Sequence, residues 1–370
     1  MLSLLLLFTG CSIDPNRNVL STVKAVSANW QHSVAIGTDG SLWAWGSNIL
    51  GEIGDGTSFI RYQPVQIRSD KTWAYVSAGL QYTIAIATDG TLWAWGSNSH
   101  GQFGNGESNR LSNTPIQIGN NNDWAIVSAG AVHTAAIKKD GTLWVWGSNK
   151  FGQLGDSTTE DRRSPVQIGH GKTWTSVTAG EDRTVAIEAE GTLWTWGRNH
   201  WGQLGDGTTE DQHNPVLVRT DYTDWEMLAI YGLQTKATRG DGSIWHWRSG
   251  FHDYSGGWVP IAIPTKIGED TDWKMVGLGL HTVALKTDGT LWAWGVNIWG
   301  QLGIGTTKDR LYPTRVCTPY TDWIYVTTGH FHTLAIRQDG SLWAWGSNFA
   351  GQLGTGIRRE INPRPIRISR

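Results

Sequence analysis

A tryptophan frame repeated seven times sets the terms for this chain. Leu42-Trp43-Ala44-Trp45 recurs, with small changes, from Leu92, Leu143, Leu193, Ile244, Leu291 and Leu342. An acidic residue followed by glycine precedes each copy, at Asp39, Asp89, Asp140, Glu190, Asp241, Asp288 and Asp339, so the steps are 50, 51, 50, 51, 47 and 51 residues. A fixed period near 50 is the mark of a repeat architecture, because each unit is one supersecondary element that buries its faces only against its neighbours. The repeats run from about Val23 to Ile368 of 370 residues without a break in composition, so they form one large domain.

The second repeat shows what one unit is. Tyr75-Val76-Ser77 and Thr83-Ile84-Ala85-Ile86 are two short β-type runs separated by Gly79, and Asp89-Gly90 is a hairpin signal, expected as a two-residue turn with both residues at positive φ. Leu92 to Trp95 is a third strand, Asn98 to Gly106 a glycine-dense loop, and Pro115 to Ile118 a fourth strand opened by proline. Leu-Trp-Ala-Trp is apolar on both faces, so a second sheet must cover each face. Four strands per 50 residues with no helical period predict an all-β, seven-bladed β-propeller. Val23 to Ser27 matches an opening strand with Val23 in the tryptophan slot, while the seventh Pro-x-x-Ile strand, at Pro365, meets the C-terminus. The expectation is a ring closed by N- and C-terminal strands pairing in one blade.

Composition sharpens this. Of 24 tryptophans, 14 lie in the Trp-x-Trp pairs and six (Trp73, Trp124, Trp174, Trp225, Trp273, Trp323) open a strand, which leaves Trp30, Trp201, Trp258 and Trp299 outside the framework. With 30 Lys+Arg against 32 Asp+Glu, no global field favours nucleic acid. The two cysteines, Cys11 and Cys317, stand in unlike contexts and suggest neither a disulfide framework nor a thiolate metal site. Cys11 follows an apolar run, Leu2 to Phe8, and Thr9-Gly10. This resembles a bacterial lipoprotein signal, although no Lys or Arg precedes the run; the alternative is simply an apolar N-terminus. The expected organisation is a signal segment over 1–11 with Cys11 lipidated, a tether over 12–22 and the propeller over 23–370.

Gly-x-x-His-Thr, Asp-Gly, Trp-Gly-x-Asn and Gly-Gln-Leu-Gly-x-Gly within 50 residues resemble the regulator of chromosome condensation repeat, whose family fold is a seven-bladed β-propeller. The resemblance covers about residues 23 to 368. Its members include a guanine-nucleotide exchange factor for a nuclear small GTPase, a plant ultraviolet-B receptor and domains of ubiquitin ligases, so it implies a fold and not one activity. This chain has no inserted wedge and no basic tail of the kind the exchange factor uses. The slot that holds a tryptophan cluster in the photoreceptor reads Trp30, Leu80, Ala131, Glu181, Gly232, Leu280 and His330 or Phe331, and one tryptophan makes no excitonic cluster.

Among candidate sites, His32, His133, His281 and His332 share one slot that Tyr82, Arg183 and Gln234 fill elsewhere, which reads as structural hydrogen bonding. The Gly-Gln-Leu-Gly-x-Gly loops lack the Lys-Ser/Thr of phosphate loops, and no catalytic constellation, cofactor site or metal-ligand spacing stands out. Two features exceed the framework. The position before the glycine loop varies as Leu50, His100, Phe151, Trp201, Trp299 and Ala350, so Phe151, Trp201, Trp299 and His100 are candidate interface residues on one face, or else local caps of a blade. In repeat five the loop is replaced by Arg248 to Trp258, whose Phe251, His252, Tyr254 and Trp258 make either a grafted site or a decayed repeat. The expected function is a non-catalytic, monomeric binding scaffold for a protein or glycan, held in the cell envelope by a lipid anchor. The alternative is guanine-nucleotide exchange or small-GTPase binding.

Overall fold

In the computed structural model, which describes residues 20–369 other than 109, 253–257 and 359, every repeat is a four-stranded antiparallel sheet. The seven blades span 23–67, 73–117, 124–168, 174–217, 225–266, 273–315 and 323–367, and no helix occurs among the described residues. In blade 1 the strands are β1 (Val23–Asn29), β2 (His32–Gly37), β3 (Leu42–Gly46) and β4 (Arg61–Ile67). First strands touch first strands all round the ring, so they line the axis, and the fourth strands form the rim. β2 and β3 are buried on both faces, as the Leu-Trp-Ala-Trp pattern requires.

Within a blade, an aromatic triad ties the first strand to the third. In blade 2, Trp73 from the first strand meets Trp93 and Trp95 of the third edge-on, with ring centroids 6.1 and 6.2 Å apart, a favoured geometry for indole rings. The same triad recurs in blades 3 to 7. Neighbouring blades then lock at glycine: a Cβ on Gly54 would lie 2.6 Å from the indole nitrogen of Trp95 in the next blade, so a larger residue would force the blades apart.

Ring closure differs from the expectation. The N- and C-terminal strands lie in different sheets, blades 1 and 7, and each blade is one contiguous stretch of chain. The reason is phase: the first strand, Val23–Asn29, and the last, Ile361–Arg367, each stand at a blade boundary, so closing the ring needs only one more copy of the ordinary seam. Val23 N–H donates to Gly340 O at 2.8 Å, as Trp73 N–H does to Gly40 O between blades 1 and 2. Likewise Gly356 N–H donates to Tyr62 O and Trp45 Nε1–H to Gln352 O.

Two local expectations also change. The Asp-Gly turn has three loop residues: Gly40 N–H bonds Gly37 O, Gly37 N–H bonds Ser41 O, and of Asp39 and Gly40 only the glycine has positive φ, at 83°. This is the three-residue hairpin with glycine in the left-handed position. The fourth strand of blade 2 begins at Ser112, three residues before Pro115, because an outermost strand has one edge on which a missing N–H costs nothing.

Candidate functional site

The blades present two faces. One carries the Asp-Gly turns between second and third strands. The other, the loop face, carries the first-to-second-strand turns and the long third-to-fourth-strand loops.

The variable position of each long loop is held by buried amides. Asn149 Oδ1 accepts the Leu154 N–H at 2.9 Å while its Nδ2 donates to Asp156 at 2.9 Å and to Thr158 O at 3.0 Å, closing the loop on itself. Gln153 Oε1 then accepts the Phe151 N–H at 2.8 Å. Equivalent glutamines hold His100, Trp201, Trp299 and Ala350, and Glu52 holds Leu50. The framework thus fixes the backbone and leaves the side chain free to differ.

No ring contact joins Phe151, Trp201 and Trp299 among the described residues. Phe151 is half-buried beneath Arg198 of blade 4, whose guanidinium carbon lies 4.8 Å from its ring centroid. Trp299 is half-buried against blade 7, with Phe331 at 6.2 Å and Phe349 at 4.9 Å. Trp201 is 40% exposed. His100 is half-buried, its Nδ1 3.0 Å from the Ser99 hydroxyl. In blade 5 the third and fourth strands lengthen to Ile244–His252 and Trp258–Lys266, pairing Phe251 with Val259 and His252 with Trp258, so the replaced segment extends a hairpin. The side chains of Phe251, His252 and Trp258 lie outside the described residues, as do Tyr254 and Cys11 entirely.

What the sequence reading missed lies at the axis. The first-to-second-strand turns surround a funnel of about 470 Å³ lined by Trp30, Leu80, Val132, Glu181, Ile230 and Tyr231 among others. At its rim the ring of His330 packs at a tilt against Trp30 (4.2 Å), lies near Tyr231 (5.5 Å) and abuts Phe331 (3.9 Å), which in turn meets Trp299. An aromatic belt therefore runs from the funnel outward to Phe349. Trp30 holds φ at 34°, a conformation costly for a bulky residue. The signal in the sequence is the slot Trp30, Leu80, Ala131, Glu181, which varies between copies while the residues around it repeat. Tyr231 replaces the glycine found at Gly79, Gly130 and Gly180, so its ring projects where other blades have none.

The shared histidine slot is structural, as expected. His133 Nε2 lies 2.9 Å from Thr184 Oγ1, whose single proton goes to Gln153 O at 2.7 Å. The imidazole must then donate through Nε2, leaving Nδ1 buried without a partner. Charging it would bury an unpaired N–H, and burial pushes its pKa down to about 3.

The RCC1-like domain model matches residues 11–279, and the Regulator of chromosome condensation (RCC1) repeat model matches 288–336 and 339–370. The Ultraviolet-B receptor UVR8 of Arabidopsis thaliana is 29% identical over 242 residues, which cover 62% of this chain and 43% of the receptor; the match thus spans less than half of that relative. Human WBSCR16 superposes with a TM-score of 0.77 at 20% identity, over 89% of this chain and 94% of that one. Prp20p of Saccharomyces cerevisiae, described with its binding to Gsp1p and histones, superposes with a TM-score of 0.77 at 18% identity, over 95% and 88%. Seven blades of the same repeat, matched along almost their whole length, place this chain in the regulator of chromosome condensation repeat family.

Proposed function

We propose that this protein is a non-catalytic binding scaffold that offers its loop face to a protein or glycan partner outside the cytoplasm, anchored through a lipidated Cys11. The observation that carries the reading is the aromatic belt of Trp30, His330, Phe331, Trp299 and Phe349, which the blade framework does not require and which leaves Trp30 and Phe349 exposed. Aromatic anchors of this kind are enriched at the centres of protein interfaces. The point where the chain enters the ring supports the orientation. Thr22 and Val23 lie beside the Gly340 turn, on the face opposite the funnel, so an anchor there leaves the loop face directed away from the membrane.

The test is affinity capture with wild type against Trp299→Ala plus Phe349→Ala. Loss of the captured partner is expected, and an unchanged set of partners would remove this face from consideration. Globomycin-sensitive palmitate labelling at Cys11 tests the anchor. Family membership, together with the Gsp1p binding described for Prp20p, favours small-GTPase binding as the second reading. Accelerated release of labelled GDP from a co-encoded small GTPase would establish it in place of the first.

A further inference from the structure

We infer that the axial funnel is a binding site for an organic cation, an ammonium carried on an aliphatic stem, with Glu181 as its counter-ion and the rings of Trp30 and Tyr231 as its walls. The inference deepens the reading of the loop face as the binding face.

Four observations converge on it. The cavity of about 470 Å³ is large enough for one long side chain or a small free amine. Its wall is apolar, from Leu80, Val132, Ile230 and Leu278, which suits a hydrocarbon stem, and Glu181 is the one charged residue among those lining it. Trp30 and Tyr231 stand at the mouth, where the negative face of an aromatic ring attracts a cation. Trp30 is 37% exposed and held at positive φ, so the turn places a large ring at the opening at a conformational cost.

Glu181 forms no ion pair among the described residues, because the nearby cations are engaged elsewhere. Arg183 turns toward blade 5, donating to Gly232 O at 2.6 Å and Gln234 O at 2.8 Å. Arg198 pairs with Asp182 at 3.2 Å and covers Phe151. Glu181 is exposed at the funnel mouth, where partial desolvation of its carboxyl and then the Asp182 charge hold it above its usual range despite Arg183, the Gly232 N–H and Arg198. A carboxylate so placed gains from a cation that brings its own apolar stem.

The experiment is calorimetric titration of the whole protein at pH 7.5 with N-acetyl-lysine methylamide, the neutral analogue N-acetyl-norleucine methylamide, which lacks the ammonium, and free choline. Lysine amide is expected to bind at least tenfold more tightly than the norleucine amide. Glu181→Gln should weaken it about tenfold, as should Trp30→Asn, which keeps a residue tolerant of positive φ. Tighter binding of the lysine amide than of choline points to a partner's side chain, and the reverse to a free amine; either supports a cation site. Equal binding of the lysine and norleucine amides, or wild-type affinity in Glu181→Gln, overturns it. Because no partner is needed, the two readings fail separately. Amine binding with unchanged capture by the Trp299/Phe349 variant sinks only the aromatic-belt reading, whereas lost capture without amine binding sinks only the cation site.

Discussion

The imidazole Nε2 of His332 lies 3.0 Å from the hydroxyl of Ser33, 299 residues away, and this bond ties the last blade to the first. Ser33 spends its own proton on Gln352 O at 2.8 Å, so it is acceptor to one element of blade 7 and donor to another. Trp45 Nε1–H reaches the same Gln352 carbonyl at 2.9 Å. The arrangement repeats what His133, Thr184 and Gln153 do between blades 3 and 4, and what His281, Thr333 and Gln301 do between blades 6 and 7.

Removing the Ser33 hydroxyl should therefore loosen the closure itself. In Ser33→Ala the Gln352 carbonyl keeps Trp45, but the His332 Nε2–H is left buried with no acceptor. Such an orphan costs about 1–3 kcal/mol. The urea midpoint should fall accordingly with an unchanged slope, and a midpoint equal to wild type would show that the closure does not depend on this bond.

The histidine belt makes stability depend on pH in a defined window. Burial drives His32 down to about 4, with Glu52 opposing, and His133, His281 and His332 down to about 3, from an ordinary value of 6.5. Between those limits the unfolded chain binds protons that the folded one refuses, so stability is full above about pH 6.5 and falls as pH drops below it. Each histidine contributes up to about a tenfold change in the folding equilibrium per pH unit. The carboxylates that Ser and Thr hydroxyls hold below their usual range, such as Asp39 and Asp339, act in the same direction only at lower pH. A melting temperature should thus decline already between pH 6.5 and 5. His281→Tyr, which copies the natural Tyr82 solution of a phenol hydroxyl donating across the seam, should flatten that decline by about a quarter. An unaltered slope would count against the belt as its source.

Much of this was legible in the sequence, for a physical reason. Blade number, strand order and the structural role of the histidines follow from spacing, because a repeat must satisfy the same packing and hydrogen bonds seven times. The closure was misread because Val23 in the tryptophan slot looks like a displaced strand, whereas Val23 N–H simply makes the seam bond that Trp73 makes elsewhere. The funnel was missed because its residues share a slot but no chemistry: Trp30, Leu80 and Glu181 converge through ring symmetry, which a linear reading does not display. Phe151 and Trp299, singled out as surface anchors, are each half covered by the next blade, through Arg198 and Phe331.

Blade 4 supplies a case where position and role separate. In the other blades the acidic turn residue organises a short relay, as in blade 1, where Ser41 Oγ donates to Asp39 at 2.5 Å and Trp43 Nε1–H donates to Ser41 at 2.7 Å. The corresponding residue of blade 4 is Glu190, which is exposed, and Glu188 two positions earlier does the work, accepting from Thr192 and Trp194 at 3.0 Å each and from Lys172. Glu188→Ala should cost about 1–2 kcal/mol and Glu190→Ala within about 0.5 kcal/mol of nothing. Equal losses in thermal unfolding would refute the transfer of role.

The seam between blades 5 and 6 should be where the ring opens first. Every other seam has a loop carbonyl, from Glu52, Gln102, Gln153, Gln203, Gln301 or Gln352, that accepts a Ser or Thr hydroxyl of the next blade. Blade 5 has no such glutamine loop, since Arg248 to Trp258 replaces it, and Gln234 stands where a histidine would donate. Gln234 Oε1 instead accepts from Lys236 of its own blade at 3.0 Å. The third-strand Trp294 of blade 6 remains 8% exposed, where its counterparts Trp45, Trp95, Trp146, Trp196, Trp247 and Trp345 are at 0%. Among the described residues no loop carbonyl accepts such a hydroxyl at this one seam, which gives it the lowest local opening free energy. In hydrogen exchange followed by mass spectrometry, amides of the second strands Gln234–Arg239 and His281–Lys286 should lose protection before those of Tyr82–Ala87 and His133–Lys138. Uniform protection around the ring, or first opening at the seam between blades 7 and 1, would show that the missing carbonyl is compensated.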